Sequence, residues 1–446
     1  MSTSLSPSQL HAYNLIRSGK NVLITGPAGT GKSFLLKQLI RDFPDLVVTS
    51  TTGISALAVH GRTIHSWSGC GRFDMERSTL LRTLEFGKSK AAARIRSATR
   101  LAIDEISMMH GYDFEVLDDV FQTIRGSSKP FGGLQIILFG DFLQLPPIAK
   151  HHAFYPVERD KAVVFCFETL SWTGAEFQTV QLTEVFRQRD ENFIGLLHRL
   201  RVGYYHPPDV EWLKALHHKS IEDSDHEPVV VLPKNRGPGS AEDYNAQKLA
   251  SLDEESVFYH AEDWCASGFE SELSEIDKSC LAVRDLELKV HAQVMMLTNE
   301  FFEATGLVNG SVGQVVRLDD DGPCVEWENG VKFKPERSEW TLEDRVVVDV
   351  PDGPSKIETQ VVARRRQYPI KLAWANSIHK SQGMSLRCVY TDLRKIFAPG
   401  QTYVALSRAQ THEGLYVKNF TERAIWVEPK ALKFYENAAQ AQLLNV

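Results

Sequence analysis

A chain of 446 residues with 43% hydrophobic and 24% charged residues has the make-up of a soluble globular protein and the length for two or three domains. Its formal net charge of −7 argues against a protein that coats nucleic acid electrostatically, yet leaves room for one strand threaded through a local basic groove. No apolar run approaches a membrane span, and Met-Ser-Thr-Ser-Leu-Ser-Pro lacks the parts of a signal peptide. Six scattered cysteines without a C-x-x-C pair point to reduced, intracellular thiols and not to a zinc site.

In chain order, Ser6-Pro7-Ser8-Gln9 opens a helix, with Ser6 at the N-cap and Pro7 at the first helical position. Gln9 then completes a capping box. It also lies just before a strand that leads into a phosphate loop, where its amide could read an adenine edge; spacing leaves both readings open. The apolar run Asn21–Thr25 feeds Gly26-Pro27-Ala28-Gly29-Thr30-Gly31-Lys32-Ser33, a G-x-x-x-x-G-K-[ST] loop with every position filled, and a helix-forming stretch follows. Such glycines let backbone N–H groups cradle an anion at a helix N-terminus. Lys32 is the residue type that reaches β- and γ-phosphates, and the Ser33 hydroxyl is a Mg²⁺ ligand.

A short buried strand over Leu46–Ser50 runs into Thr51-Thr52-Gly53 and Gly61-Arg62-Thr63-Ile64-His65-Ser66. Hydroxyls at a strand end can face a ligand such as a polymer phosphate, but a tight helix–strand corner with His65 in the core is the plainer reading. Residues 68–98 carry Arg72, Arg77, Arg82, Lys88, Lys90, Arg94 and Arg96 and read as a small, basic, helical insertion, either a solvated face or a nucleic-acid contact. The strand Leu101–Ile103 ends in Asp104-Glu105: the first acid would hold Mg²⁺, the second could polarise an attacking water. Leu134–Gly140 is another core strand, after which Pro146-Pro147 stiffens the exit and keeps Gln144 near the strand tips. Val163–Phe165 and Val180–Leu182 add short strands. One parallel α/β domain therefore spans residues 1–67 and 99–183, with 68–98 inserted.

Leu182-Thr183-Glu184-Val185-Phe186-Arg187-Gln188 begins a second α/β domain, expected over 184–309 and 364–446. The acidic stretch 262–280 reads as loop-rich. Alternating strands from Gly310 to Ala363, with turns at Asp321-Gly322 and Asn329-Gly330, fit a small barrel inserted over 310–363. Strands at Ile370–Trp374, Val389–Thr391 and Leu415–Val417 resume the α/β pattern, and Arg408 sits on a late helix over Tyr403–Ala409. An isolated arginine there is the residue type needed for a finger on a γ-phosphate.

Taken in order, these motifs resemble the petite-integration-frequency (Pif) branch of superfamily-one helicases, subgroup B, with RecD-like relatives. The matching stretches are Gly26–Ser33, Thr52–Ser66, Asp104–Met108, Gly140–Pro147, Leu182–Gln188, Ala292–Met295, Leu307–Gly313, Lys371–Met384 and Tyr403–Arg408, covering the chain from about Leu5 to Val417. The resemblance implies two RecA-like domains clamping ATP and Mg²⁺ in their cleft, a basic wedge at 68–98 and an SH3-like β-barrel at 310–363. It implies unwinding with 5′→3′ movement on single-stranded DNA. It places Gln9 on the adenine and Lys32, Ser33, Asp104, Glu105, Gln144 and Gly383 about the nucleotide and metal. Arg187 and Arg408 fall on the γ-phosphate arginines. Thr51, Thr63, His65, Ser66, Pro146, Asn309, His379, Lys380 and Ser381 fall where the family meets DNA. The partners implied are single-stranded and forked duplex DNA and no membrane, with a monomer when DNA is absent. The setting implied is the cytoplasm in a prokaryote or virus, the nucleus or mitochondrion in a eukaryote. A nucleotide-gated clamp or loader that does not unwind is the alternative. A small-molecule phosphotransferase would leave the second domain and Arg408 unexplained.

Overall fold

The computed structural model describes residues 4–59, 61–71, 73, 75, 77–86, 90–147, 165–216, 227–348 and 356–444. The chain divides into two compact units, Met1–Val185 with Leu342–Val361 and Pro429–Val446, and Phe186–Thr341 with Val362–Glu428.

The first unit is built on β1 (Val22–Thr25), β2 (Leu46–Ser50), β3 (Arg62–Thr63), β4 (Arg100–Asp104), β5 (Gln135–Phe139) and β6 (Gln178–Gln181), in the spatial order β3-β2-β4-β5-β1-β6. Every pair is parallel, with Leu23 opposite both Leu138 and Thr179. A parallel sheet is covered on both faces, which is why its strands read as unbroken apolar runs: Val22, Leu23, Ile24, Ile137 and Phe139 are fully buried. Helices α1 (Pro7–Arg17) and α2 (Lys32–Asp42) close over it through Ala12, Ile16, Leu35, Leu36 and Leu39. Because the strands run one way, the loops leaving β1, β4 and β5 emerge at the same edge of the sheet.

The helix Pro429–Leu444, expected with the second domain, belongs to the first unit. Phe434 stacks on Phe167 at 4.6 Å and meets Phe142 edge-on at 5.4 Å. The Tyr435 hydroxyl lies 2.6 Å from Thr25 Oγ1 and accepts the Phe142 N–H at 3.1 Å. An aromatic face must be buried somewhere, but its sequence does not say against which core.

In the second unit a parallel sheet has the spatial order Ala375–Ser377, Val229–Leu232, Val389–Asp392, Leu415–Lys418. An antiparallel sheet runs Lys332–Phe333, Gly322–Trp327, Val312–Asp319, Gln293–Met296, Ile370–Leu372. The turn at Asn329-Gly330 forms as expected: Gly330 has φ +82° and the Asn329 side chain accepts the Val331 N–H at 3.2 Å.

Three expectations need correction. The strands expected in one barrel over 310–363 are divided between two sheets: Val312–Asp319, Gly322–Trp327 and Lys332–Phe333 join Gln293–Met296 and Ile370–Leu372, from outside that interval, in the antiparallel sheet. The later strands, Ser338–Val348 and Lys356–Gln367, instead form a sheet with Glu262–Cys265. Ile370–Leu372, expected in the α/β sheet, edges the antiparallel one, with Ile370 and Trp374 in the same core as Val325 and Trp327. The acidic 262–280 stretch is a strand and a helix, Ser271–Ser279. Arg365, 1% exposed, makes this possible: it donates to Asp263 at 2.8 and 2.7 Å and also bonds Asp277. The expected strand residues Val163 and Val164 lie outside the described residues. None of the six cysteines is joined in a disulfide.

Candidate nucleotide site

The phosphate loop joins β1 to α2. Gly29 and Gly31 have φ of +81° and +82°, and a Cβ on Gly26 would sit 2.6 Å from the Leu182 carbonyl oxygen. Only glycine allows this path. No side chain caps the 11-residue α2, so its first N–H groups face the loop, the arrangement that suits an anion. Lys32 Nζ donates to the carbonyls of Gly26 at 2.7 Å and Pro27 at 3.1 Å, which places the ammonium over the cradle. Thr30 Oγ1 donates to the Pro27 carbonyl at 2.9 Å, bracing the loop from within.

Gln9 does more than the capping reading requires. Its Oε1 accepts the Ser6 N–H at 3.0 Å, as the capping box predicts. The same amide turns Nε2 to the carbonyls of Thr30 at 3.5 Å and Gly31 at 3.4 Å. This buried side chain ties the start of α1 to the phosphate loop.

At the tip of β4, Asp104 accepts the Glu105 N–H at 2.9 Å. Burial raises its pKa to about 6, against the pull of that hydrogen bond and of the Lys32 charge. Glu105 takes the left-handed conformation, φ +54°, unusual for a non-glycine residue at a strand exit. Thr51 holds this turn: its N–H donates to the Asp104 carbonyl at 3.1 Å and its hydroxyl to the Glu105 carbonyl at 2.7 Å. Gly140, after β5, approaches closely enough that a Cβ would lie 2.9 Å from Ile106 Cγ2. Gln144 is buried and donates to Asp141 Oδ2 at 3.1 Å, while Asp141 Oδ1 receives the Tyr435 hydroxyl at 3.3 Å. Pro146 is buried beside it.

A half-buried carboxyl that desolvation makes reluctant to ionise, facing a lysine ammonium, fits a divalent cation. Asp104 and Ser33 would contribute the protein ligands. Among the described residues no group of three or more His, Cys, Asp or Glu is placed to hold a metal. A Mg²⁺ held by one or two protein ligands, with phosphate oxygens and water completing its shell, is compatible with that.

The two arginines lie in the second unit. Arg187 donates to the carbonyls of Ser407 at 3.3 Å and Gly383 at 3.0 Å, and burial lowers its pKa to about 10, so it stays charged at neutral pH. Arg408 is 1% exposed and donates to the carbonyls of Val404 at 2.9 Å and Ser381 at 3.2 Å. Gly383 and both arginines thus share one loop cluster. Gln188, not singled out in the sequence, ties it together by donating to the carbonyls of Ser407 and Ala409 at 3.2 and 2.9 Å.

The residues with an expected DNA role behave unevenly. Ser381 is fully buried and its hydroxyl donates to the Ile378 carbonyl at 2.8 Å. Thr63 caps the helix Ile64–Ser68 by accepting the Ser66 N–H at 3.3 Å, and His65 packs edge-on to Phe73 at 5.3 Å. His379 and Lys380 keep partial exposure; burial lowers the His379 pKa, and Lys380 Nζ donates to Glu242 at 3.4 Å. The Asn309 Oδ1 is buried with no partner among the described residues.

In the basic insertion, Arg94 is buried and bridges Asp344 at 2.8 Å and the Trp67 carbonyl at 3.0 Å, and Arg96 donates to the Ile124 carbonyl at 3.3 Å. Those two charges serve packing; Arg82 is exposed, and Arg72 and Lys88 lie outside the described residues. Lys371 is a further feature the sequence did not signal. Burial, then the nearby Lys380 charge, lowers its pKa to about 7, and its Nζ donates to Asn376 at 3.2 Å.

The chain is similar to known proteins along nearly its whole length. The model of the PIF1-like helicase family matches residues 4–207, and that of the DNA helicase Pif1 2B domain matches 272–318. The chain is 36% identical over 451 residues to the ATP-dependent DNA helicase PIF1 of Xenopus laevis, covering 99% of this chain but only 65% of that protein's length. It is 33% identical to the ATP-dependent DNA helicase Pif1 of Bdellovibrio bacteriovorus, covering 97% of this chain and 92% of that one. The crystal structure of Bacteroides sp Pif1 in complex with ADP-AlF4 superposes with a TM-score of 0.83 at 29% identity, over 99% of this chain and 98% of that one. With 33% identity to a Pif1 helicase over 92% of that protein's length, the chain belongs to the Pif1 helicase family.

Proposed function

We propose that the chain is an ATP-driven DNA motor that moves 5′→3′ on single-stranded DNA and opens forked duplex. The observation that carries this is the convergence of the uncapped α2 N-terminus, Lys32 and the half-buried Asp104 at one edge of the first sheet. The names of the relatives, each an ATP-dependent DNA helicase, support the choice of substrate.

In this reading Lys32 exchanges its two carbonyl partners for phosphate oxygens, and the loop N–H groups neutralise the rest of the triphosphate. Mg²⁺, held by Ser33 and Asp104, would supply charge neutralisation between the phosphates. Glu105 orients the attacking water, and Gln144 reports the γ-phosphate to Asp141 through its existing hydrogen bond. Arg187 and Arg408 are assigned the γ-phosphate arginine role, and Gln9 the adenine. Thr51, Thr63, His65, Ser66, Pro146, Asn309, His379 and Lys380 are assigned to DNA, those with committed hydroxyls through their backbone. The β-rich segment would be the counterpart of the SH3-like insertion, and 68–98 that of the wedge.

ATP turnover with and without single-stranded DNA tests this. Strong stimulation is expected; equal turnover in both conditions would remove DNA from the mechanism.

A further inference from the structure

The second unit contains a cavity of 470 Å³ that the nucleotide reading does not use. Phe193 and Leu196 on the helix Glu191–Arg201, Trp212 on Pro207–Ala215, and His412 line it. The rings of Phe193, Trp212 and His412 lie 6.2 to 6.5 Å apart, centre to centre, and are inclined to one another by 51° to 62°. Rings so inclined do not stack; lining one cavity, Phe193 and Trp212 can turn faces to a common point, where their negative quadrupoles attract a cation.

The charge of the lining points the same way. Arg199 donates to Asp209 at 2.7 and 2.6 Å, so that pair neutralises itself. Asp190 and the exposed Glu191 remain in excess. Asp190 caps the helix, accepting the N–H groups of Asn192 at 2.8 Å and Phe193 at 3.3 Å, so the helix end offers little to an anion. Its other oxygen lies 2.8 Å from His412 Nδ1, and Glu413 faces Nε2 at 3.2 Å.

We propose that this cavity is a docking site for a basic side chain, the guanidinium or ammonium head of an arginine or lysine on a partner protein segment. Its volume accommodates one or two such side chains. The site is close in sequence to the arginine loops: Asp190 follows Arg187 by three residues and His412 follows Arg408 by four. An occupant would therefore stiffen the segments that Gln188 already ties together.

The test uses the full chain without nucleotide or DNA, so its outcome is separate from that of the motor reading. Hydrogen exchange is measured with and without a hexa-arginine peptide, and peptide affinity by calorimetry. Slower exchange is expected in 190–199, 209–215 and 410–413. Glu191→Gln should weaken the peptide about fivefold and Trp212→Leu about tenfold or more, while Asp253→Asn, an exposed carboxylate elsewhere, changes nothing. Glu191 is exposed, so its variant tests charge without disturbing the core. Protection confined to other segments, or equal affinity in wild type and Glu191→Gln, overturns the proposal.

Discussion

Replacing Asp104 by Asn should stabilise the nucleotide-free protein while removing its activity. Burial lifts this carboxyl from its ordinary 3.8 to about 6. An acid with a raised native pKa destabilises the fold wherever it must ionise. Below about pH 3 it is protonated in native and unfolded states alike and has no effect. As pH rises through about 6 the native state must carry a desolvated charge, a penalty of about 3 kcal/mol. The side chain keeps some contact with solvent, which reduces the figure to about 2 kcal/mol. Asparagine keeps the acceptor for the Glu105 N–H and removes the charge. Urea denaturation, read by hydrogen exchange over Arg100–Asp104 so that the first unit is followed separately, should find the variant more stable by about 2 kcal/mol at pH 7.5. The gap should close by about pH 3, and Mg-ATP hydrolysis should fall by at least about a hundredfold. A gap that is the same at both pH values, or a variant less stable at pH 7.5, would refute the reasoning.

Lys32→Ala should lower DNA-stimulated ATP turnover by about two to three orders of magnitude while single-strand affinity, measured by fluorescence anisotropy, changes less than about twofold. Asp344→Ala leaves Arg62 and Arg94, 2% and 8% exposed, without their shared carboxylate. A loss of about 3 to 5 kcal/mol is expected in chemical denaturation of the first unit. Lys371→Met should stabilise the second unit at pH 6, because the native state there must hold a desolvated ammonium. With a native pKa of about 7 and an ordinary value of 10.5, that advantage should shrink as pH rises from 7 and vanish by about 10.5.

The phosphate loop and the acid tip are legible in the sequence because their chemistry needs contiguous residues after an apolar strand. Gly26–Ser33 and Asp104-Glu105 carry both the function and its local context. Features that depend on distant partners are not legible. Asp263 and Asp277 look like loop residues until Arg365, about a hundred positions away, is brought to them. Nothing in Phe434-Tyr435 identifies β1 and Phe142 as its neighbours. The strands of 310–363 alternate correctly, but alternation does not choose a partner, and Gln293–Met296 completes their sheet from outside. Gln9 fits its capping role by spacing alone; its bond to the loop needs the folded distance. Ser381 and Thr63 match DNA-facing positions by motif, while their hydroxyls satisfy the backbone.

The most direct test of the motor is strand displacement on forked DNA with Mg-ATP, comparing a fork whose loading tail is 5′ with one whose tail is 3′. Release of the strand from the 5′-tailed fork, little from the 3′-tailed one and none with Lys32→Ala is the expected result. Hydrolysis that proceeds on both forks while neither is opened would contradict the account and leave a nucleotide-gated clamp in its place.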